Sequence, residues 1–383
     1  MNKKILLCSN ILWTITQFRL GLIKALVKEG YEVVCVADTD DFSVLSETKI
    51  ADAGARFVRL VMNRKGTNPL SDLDYLYKLK KIIKLEKPDI VINYTIKPII
   101  DGSIAAQLMH IPSLAVTTGL GFVFNSNNLL TRLTRSLYKF SLRFPSKVFF
   151  LNADDKNVFL QNKIIPKEKA LLLPSEGIDT DYYQPIPPSL KQKEFTFLLI
   201  ARLLWEKGVG EYVEAARILR SDDKINARFL LIGYIDSDNP GGINKTQIQQ
   251  WSDEGIVEYR GTAEDIRATI SESDCVVLPS YYREGVPRTL LEAASMAKPI
   301  ITTNNVGCRE VIDDGINGFI CKSKDSTNLS EVMREMIRLT PENREQMGQS
   351  GRNKILNQFD EKIVINIYFK EIEQALKINS KNL

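Results

Sequence analysis

One stretch of the chain reads Pro279-Ser-Tyr-Tyr-Arg-Glu284-Gly-Val-Pro-Arg-Thr-Leu-Leu-Glu292, and it joins a short apolar run to a helix-like one. The run before it, residues 274–278, has the composition of a buried strand. Pro287 suits the first helical position, where its missing N–H is no loss. The backbone amides of the next three residues would then have no intrahelical partner, which predicts an anion site formed by Arg288, Thr289 and Leu290.

Two carboxylates flank this predicted anion site. Glu284 lies on the loop before the helix and Glu292 lies on the helix, with seven residues between them. Gly285 lets the backbone come close to a ligand because it has no side chain. A phosphate on the amides would have one carboxylate near sugar hydroxyls on each side. The alternative interpretation is an ordinary strand, loop and helix with two surface acids, since two glutamates at any given spacing often arise by chance.

The chain has the composition of a soluble globular protein, with 44% hydrophobic and 26% charged residues among 383. Its length favours two domains. No apolar run approaches the roughly 20 residues that a bilayer-spanning helix needs, and the run after Lys4 is too short for a signal peptide. The sequence therefore predicts a cytoplasmic protein. The five cysteines show no metal-ligand spacing, and three lie in apolar runs that predict reduced core residues: Cys8, Cys35 and Cys275.

Positive charge is concentrated in the N-terminal half. Residues 1–187 hold 25 Lys and Arg against 18 Asp and Glu, a net charge of +7, whereas the remainder holds 26 against 29, a net charge of −3. Residues 102–153 contain no acidic residue. This asymmetry favours an anionic partner such as a membrane surface or a phosphate-bearing acceptor. Nucleic acid is the weaker interpretation, because the chain has no recognition motif and no ladder of aromatic and basic residues.

Strand-like and helix-like runs alternate along both halves of the chain, which predicts an α/β fold with parallel sheets. In the first half, strands are predicted over residues 3–8, 32–37, 57–61, 89–93, 113–117 and 147–151, and helices over 16–28, 43–53, 71–86, 101–109 and 129–144. In the second half, strands are predicted over 195–200, 229–232, 257–259, 275–278 and 299–302, and helices over 209–220, 245–253, 263–272 and 287–296. A proline-rich linker, residues 182–190, separates predicted domains over 1–187 and 188–359. The last predicted helix covers 361–376.

Ligands bind beyond the carboxyl ends of the strands in such sheets, and two groups of residues lie there. Arg202 and Lys207 follow the first strand of the second domain, where both cations can reach one diphosphate. Gly119 and Gly121 follow a strand of the first domain and would allow the backbone to approach a phosphate or sugar. The alternatives are a solvated pair of cations and an ordinary turn.

The segment 284–293 resembles the element with two glutamates seven residues apart in retaining GT-B glycosyltransferases, in particular those of family 4. The resemblance covers nearly the whole chain, is strongest over residues 199–319 and includes Gly177-Ile178-Asp179. It implies two Rossmann-like domains facing a central cleft. The N-terminal domain would bind the acceptor and the C-terminal domain the nucleotide sugar. The last helix, from about residue 360 to 383, would return to the first domain.

The resemblance also implies roles for the candidate residues. Arg202 and Lys207 would stabilise the departing diphosphate, and Glu284 would hold hydroxyls of the donor sugar. Glu292 would hold the ribose. The remaining residues implied in nucleotide-sugar binding are Gly119, Gly121, Gly285, Val286, Arg288, Thr289 and Leu290.

Members of the family often place a histidine near the reacting sugar. The one histidine of this chain, His110, lies at a predicted helix end before a buried strand and is interpreted as structural. Retention of configuration does not require it, because in a front-face reaction the departing phosphate itself takes the acceptor proton.

Asp236 and Asp238 form a pair like the metal-binding Asp-x-Asp of the other large glycosyltransferase fold. They follow a strand of the second domain inside a loop rich in Gly, Pro and Asn. A metal role is disfavoured because Arg202 and Lys207 already supply positive charge. We therefore expect no metal and no cofactor, with a UDP-sugar as the donor substrate.

The predicted helix over residues 129–144 carries two stripes. One is apolar and is interpreted as core; it consists of Leu130, Leu133, Leu137, Phe140 and Phe144. The other is basic and is interpreted as either a solvated face or a contact with a membrane surface and its acceptor; it consists of Arg132, Arg135, Lys139 and Arg143.

The resemblance implies an enzyme that moves a sugar from a UDP-sugar to an undecaprenyl-diphosphate-linked saccharide in bacterial glycan assembly. The sugar would be an N-acetylhexosamine such as N-acetylgalactosamine, and the enzyme would be peripheral on the inner face of the plasma membrane. Two other functions remain open. A sugar-nucleotide epimerase of the same fold would need carboxylate acid–base residues in the first domain and no acceptor. A catalytically inactive regulatory protein should have lost at least one of four residues that are all present: Arg202, Lys207, Glu284 and Glu292.

Overall fold

The chain forms two compact units. In the computed structural model, which describes residues 3–63, 69–120, 129–187 and 194–382, the first unit comprises residues 1–177 with 361–383 and the second comprises residues 178–360. Each unit is an α/β sandwich of a parallel sheet between helices, with its own buried apolar core. The predicted α/β class is confirmed.

The first unit is built on seven parallel strands. They are β1 (Lys4–Ile11), β2 (Glu32–Asp38), β3 (Arg56–Arg59), β4 (Ile90–Tyr94), β5 (Ser113–Thr117), β6 (Lys147–Phe150) and β7 (Ala170–Leu172). Their order in the sheet is β3-β2-β1-β4-β5-β6-β7. The helices that precede the second unit are α1 (Leu12–Lys28), α2 (Ser43–Asp52), α3 (Pro69–Glu86), α4 (Ser103–Leu108), α5 (Leu129–Ser141) and α6 (Ala153–Gln161). A π-helical turn, Pro98–Gly102, leads into α4.

The second unit repeats this arrangement with six strands. They are β8 (Phe195–Ile200), β9 (Ala227–Ile232), β10 (Glu258–Tyr259), β11 (Cys275–Leu278), β12 (Ile300–Thr303) and β13 (Gly318–Cys321). Their order is β10-β9-β8-β11-β12-β13. The helices are α7 (Val209–Arg220), α8 (Lys245–Asp253), α9 (Arg267–Glu272), α10 (Arg288–Ser295), α11 (Ser326–Arg338) and α12 (Pro341–Gln358).

The structure adds elements that the sequence interpretation did not include: α6, β7, α11 and α12. Three of these helices begin at a polar cap, because the side chains of Asn152, Asp325 and Thr340 each accept a backbone N–H from three residues on. Helix α12 packs partly through Gly348, where an added Cβ would lie 2.0 Å from the carbonyl oxygen of Ala297. A contact made by a glycine leaves no hydrophobic period in the sequence.

The terminal helix α13 (Glu361–Asn382) belongs to the first unit. Its buried residues recur at helical spacing and join the core beneath β1 and β4, as Val364, Tyr368 and Ile372 do. Helix α1 approaches α13 closely at Gly21, where an added Cβ would lie 2.1 Å from Glu361 Oε2. The last helix therefore completes the core that the first strands begin.

Helix α5 differs from the sequence interpretation in the face that it buries. The apolar stripe was expected to be core, but Leu133, Leu137 and Phe140 are exposed, and Phe144 is half-buried. The buried face instead carries Tyr138 and Leu142. Of the basic stripe, Arg132, Lys139 and Arg143 are exposed, whereas Arg135 is half-buried. The side chain of Leu130 lies outside the described residues.

All five cysteines are buried and free of disulfide bonds, as predicted for the three in strands. Burial raises the pKa of Cys35, Cys308 and Cys321 to about 12, which keeps these thiols protonated. Within the described part of the chain, no helix combines the length and apolar character that crossing a membrane requires.

We predict that Ile372→Ala destabilises the first unit by about 2–5 kcal/mol, because it leaves a cavity in the core shared by α1, β4 and α13. Ile378→Ala on the same helix is the matched control, since Ile378 is exposed and its loss should change stability by less than about 0.5 kcal/mol. Denaturant unfolding of both variants measures the difference. Equal stabilities would show that α13 contributes little to the core.

Candidate active site

The candidate site begins at the point where the strand order of the second sheet reverses. Strands β8 and β11 are neighbours in the sheet, with Phe197 opposite Cys275 and Leu198 opposite Val276. The chain leaves β8 toward Lys207 and leaves β11 toward Glu284, so both side chains lie beyond the carboxyl ends of adjacent parallel strands. In doubly wound sheets this crevice is where ligands bind.

The two loops are joined at one backbone carbonyl. The carbonyl of Glu206, in the 3-10 turn Trp205–Lys207, accepts the N–H groups of Tyr281 and Tyr282 at 3.0 Å each and the hydroxyl of Ser280 at 3.2 Å. Gly208 follows the turn with φ of 77°, and an added Cβ would lie 2.2 Å from the carbonyl oxygen of Pro279. Only glycine therefore allows the turn to approach the loop this closely.

An ion pair between Lys207 and Glu284 forms the centre of the site. The two side chains are 13% and 10% exposed, so water screens their attraction weakly. The hydroxyl oxygen of Ser280, which is fully buried, lies 3.1 Å from Glu284 Oε1 as well as 3.2 Å from the Glu206 carbonyl oxygen, so its single proton is shared between these two acceptors. The Lys207 ammonium also lies 5.3 Å from the ring centroid of Tyr282. The arrangement holds one cation and one carboxylate in fixed positions.

The backbone of Glu284 is fixed from the other side by the loop after β12. Its N–H donates to the carbonyl of Val306 at 3.2 Å, and Asn305 Nδ2 donates to the carbonyl of Tyr282 at 2.5 Å. Gly307 has φ of 87°, and an added Cβ would lie 2.6 Å from Glu284 Cβ. The sequence interpretation did not assign Ser280, Asn305 or Gly307 to the site, although their positions just beyond strands β11 and β12 were a signal for them.

Arg202 lies at the same edge but is exposed and makes a looser contact. Its Nη1 is 3.6 Å from Asp236 Oδ2. Asp236 therefore neighbours a cation, and it also accepts a hydrogen bond from Asn239 Nδ2 at 3.4 Å. Among the residues that the structure describes, no three His, Cys, Asp or Glu side chains form a group that could hold a metal ion.

The start of α10 differs in two respects from the predicted anion site. Pro287 is the N-cap residue, so α10 begins at Arg288. The N–H of Leu290 donates to the carbonyl of Pro287 at 3.2 Å, which closes the first turn, and the prediction of an amide without an intrahelical partner is wrong for Leu290. The amides of Arg288 and Thr289 occupy the first two helical positions.

Glu292 is buried, and its neighbours come from the helix and from the linker. Arg288 Nε donates to Glu292 Oε1 at 2.9 Å, and the Arg288 guanidinium lies 5.7 Å from the ring centroid of Tyr183. Burial raises the pKa of Glu292, while Arg288 acts in the opposite direction. Burial also raises the pKa of Tyr183, and the charge of Glu292 adds to this. Tyr183 falls in the linker over residues 182–190, to which the sequence interpretation assigned no role in the site.

The first unit carries the other predicted residues. Gly119 lies beyond the carboxyl end of β5 with φ of 140°, and apart from its two chain neighbours no atom of the described residues lies within 4 Å of where a Cβ would be. Gly121 lies outside the described residues. His110 is exposed, in a left-handed conformation with φ of 56°, between α4 and the amino end of β5. It is therefore at the opposite end of β5 from Gly119.

One carboxyl of the first unit has an unusual environment. Asp101 lies in the π-helical turn after β4, and burial raises its pKa to about 7, with Asp72 raising it further and Lys97 lowering it. The neighbouring Asn93 is fully buried, and neither polar atom of its side-chain amide has a hydrogen-bond partner among the described residues. The sequence interpretation did not single out either residue.

Comparisons with known proteins match both units. The family model described as glycosyl transferases group 1 matches residues 185–354, and the model described as glycosyl transferase 4-like matches residues 4–152. The chain is 30% identical to the N,N'-diacetylbacillosaminyl-diphospho-undecaprenol alpha-1,3-N-acetylgalactosaminyltransferase of Campylobacter jejuni, over 95% of this chain and 96% of the relative. It is 26% identical to the UDP-Gal:alpha-D-GlcNAc-diphosphoundecaprenol alpha-1,3-galactosyltransferase of Escherichia coli, over 76% of each chain.

Solved structures show the same fold. The crystal structure of Anabaena Alr3699/HepE in complex with UDP superposes with a TM-score of 0.77 at 18% identity, covering 98% of this chain and 100% of that one. A glycosyltransferase from Rickettsia africae also superposes with a TM-score of 0.77, at 19% identity and with 98% and 99% coverage. The predicted GT-B fold is confirmed, and the chain belongs to the group 1, family 4-like glycosyltransferases.

Proposed function

We propose that the enzyme transfers an N-acetylhexosamine, such as N-acetylgalactosamine, from a UDP-sugar to an undecaprenyl-diphosphate-linked saccharide with retention of configuration. The observation that carries the proposal is the Lys207–Glu284 pair at the reversal point of the second sheet. The pair supplies one cation for a diphosphate and one carboxylate for sugar hydroxyls, on two loops that hydrogen bonds join. Glycan assembly in bacteria would be the setting.

The charges of the site suit a diphosphate leaving group. As the bond between the sugar C1 and the phosphate oxygen breaks, negative charge grows on the diphosphate, and Lys207 and Arg202 stabilise it. The backbone N–H groups of Arg288 and Thr289 lie at the N-terminus of α10, whose partial positive charge also stabilises the diphosphate. The acceptor oxygen forms the new bond to C1, and its proton passes to the departing phosphate oxygen. No residue of the chain has to take that proton.

The ion pair also sets a condition on binding. Lys207 and Glu284 form an ion pair with each other in the structure, so a bound UDP-sugar must replace this ion pair with its own contacts to both side chains. Phosphate oxygens would accept hydrogen bonds from Lys207, and sugar hydroxyls would donate hydrogen bonds to Glu284. Because Ser280 and the Glu206 carbonyl keep the loops in place, the exchange needs side-chain rotation only.

Glu292 is the proposed ribose ligand, with Gly285 and Val286 on the loop before it. Its Oε1 accepts from Arg288, and a carboxylate has lone pairs for further donors. The side chains of Tyr183 and Arg288 would fix the orientation of Glu292, whereas only the backbone amide of Arg288 would contact the nucleotide. A buried, oriented carboxylate can distinguish a ribose from a sugar that lacks the hydroxyls.

Donor and acceptor classes are proposed from the relatives. The relatives from C. jejuni and E. coli are both named for acceptors on diphospho-undecaprenol, and the Anabaena structure holds UDP. The first unit would bind the acceptor, and its Gly119 and Gly121 stay proposed as residues that contact the nucleotide sugar. An acceptor on a polyprenyl chain is held by a membrane, so we propose that the enzyme is peripheral on the inner face of the bacterial plasma membrane.

The proposal predicts transfer from a UDP-sugar only when a lipid-diphosphate sugar is present, in buffer containing EDTA. Incubation of a UDP-sugar panel with and without a short-chain diphosphate-linked acceptor measures this, with anomeric configuration read by NMR. Conversion of the UDP-sugar without acceptor would instead show an epimerase, for which Asp101 is the candidate acid–base residue. Binding without any turnover would show a regulatory protein. Loss of transfer in EDTA, restored by Mg2+ or Mn2+, would contradict metal independence and assign a role to Asp236 and Asp238.

Lys207→Ala should lower kcat by about 10²-fold or more with little change in donor KM, because its charge acts mainly on the departing diphosphate. Lys324→Ala is the matched control, since the Lys324 ammonium also lies over a tyrosine of the same loop, 4.6 Å from the Tyr281 centroid. The control should retain the parent's kcat. Equal kcat for parent and Lys207→Ala would remove Lys207 from the mechanism.

Glu292→Gln should raise the donor KM by roughly tenfold while kcat changes little, because the substitution removes one hydrogen bond between the ribose and a charged group. The glutamine keeps an oxygen for Arg288, so the buried guanidinium is not left without an acceptor. Glu371→Gln, an equally buried glutamate in the first unit, controls for the loss of a buried carboxylate. A donor KM that stays at the parent value would mean that Glu292 serves only the fold.

A further inference from the structure

Helix α5 presents two adjacent strips on its exposed face. The apolar strip consists of Leu133, Leu137 and Phe140, spaced by four and three residues and 55%, 43% and 48% exposed. The basic strip consists of Arg132, Lys139 and Arg143, which are also exposed. Ser136 lies between the strips and is exposed as well. Three large apolar side chains in one row form a contiguous exposed patch, whereas the exposed apolar residues of a typical soluble protein are scattered singly.

The packing of the opposite face fixes this orientation. Tyr138 and Leu142 are buried in a core with Phe150 and Phe159, and the rings of Tyr138 and Phe159 meet edge to face with centroids 5.7 Å apart. A rotation that buried the apolar strip would expose these residues. The exposed strip is therefore a consequence of the core.

The charge around the strip selects the kind of surface that it can meet. None of Arg132, Lys139 and Arg143 forms an ion pair with a described carboxylate. Residues 102–153, which include the helix and the strands on both sides of it, contain no acidic residue. An apolar strip beside free cations, with no acid near it in sequence, fits an anionic lipid surface better than a protein surface of mixed charge.

We propose that α5 docks on a bilayer rich in anionic phospholipid, with Leu133, Leu137 and Phe140 inserted among the upper acyl chains and Arg132, Lys139 and Arg143 at the phosphates. This deepens the proposed function, on which it rests for its biological setting: the first unit would take its acceptor from the same leaflet. The helix lies in the plane of the interface and does not span the bilayer. The earlier expectation of a purely basic contact is thereby replaced by one that is both apolar and basic.

The two strips predict separable effects. Each cation near an anionic leaflet strengthens binding roughly fivefold, and this effect fades as salt shortens the Debye length to about 8 Å and below. Insertion of the three apolar side chains strengthens binding by roughly tenfold or more, and this effect persists in high salt. Binding that combines both should fall with rising salt to a plateau above zero.

The experiment measures co-sedimentation of the full chain with vesicles of phosphatidylglycerol and phosphatidylcholine over a range of salt. We expect L133S/L137S/F140S to lose the binding that persists in high salt, and R132Q/K139Q/R143Q to lose the salt-dependent binding. L73S/Y77S/L85S on α3 is the matched control, because those three side chains are also large, apolar or aromatic, and exposed in the same unit. It should bind as the parent does.

A second measurement does not depend on the stability of the triple variants. Leu137→Cys creates an exposed thiol in a chain whose five cysteines are all buried, so it can be labelled selectively with an environment-sensitive fluorophore. Its emission should shift to the blue with phosphatidylglycerol vesicles and stay unchanged with phosphatidylcholine alone. A label at Leu73→Cys should not shift with either.

The outcomes separate this inference from the proposed function, since neither assay contains donor or acceptor. If L133S/L137S/F140S binds vesicles as the parent does at every salt concentration and the label at Leu137→Cys shows no blue shift, the docking surface is overturned, while sugar transfer to a short-chain acceptor can still stand. If L133S/L137S/F140S binds vesicles normally but changes a dimer to a monomer in sedimentation analysis, the strip is a self-association surface instead. Vesicle binding that depends on the strip, without transfer to any acceptor, supports the inference and contradicts the proposed function.

Discussion

The carbonyl of Glu206 is the point on which the candidate site depends. Two loops leave neighbouring parallel strands, and nothing in a sheet's own hydrogen bonds holds such loops together beyond the last strand residue. Here one acceptor takes donors from Ser280, Tyr281 and Tyr282 and so joins them. Lys207 is the residue after this carbonyl, and Glu284 lies two residues beyond Tyr282. Opposite charges can therefore be held together at the edge of the sheet with little side-chain freedom left to lose on binding.

The two glutamates of the site form ion pairs of different kinds. Glu284 meets a lysine, whose single ammonium can rotate toward another anion. Glu292 meets an arginine four residues back on the same helix, and Tyr183 lies against that arginine. The first arrangement suits an exchange of partners and the second suits a fixed position. This difference agrees with a reacting end and a holding end of one nucleotide sugar.

Much of the fold could be predicted because its strands are buried on both faces and read as continuous apolar runs, as in β4 and β8. Helix α12 was missed because glycines make its closest contact. Strand β7 was missed because three residues are too few to show a hydrophobic periodicity. Within the site, the charged residues could be named from their positions after strands. Tyr183 could not, since its role arises from a contact with Arg288, in a segment far away in the chain. The apolar stripe of α5 was misassigned because periodicity shows that residues share a face but not which face is buried.

The path of the chain also orders events during synthesis. Residues of α1 and β4 bury apolar surface against Tyr368 and Ile372, which a ribosome adds more than 270 residues after Tyr94. The second unit is continuous in sequence, from Ile178 to Asp360, and can close on itself before α13 emerges. The core of the N-terminal sheet therefore stays incomplete while the second unit is synthesised and folds. The half of the protein that is synthesised first is therefore completed last, and part of its apolar core stays uncovered until α13 is added.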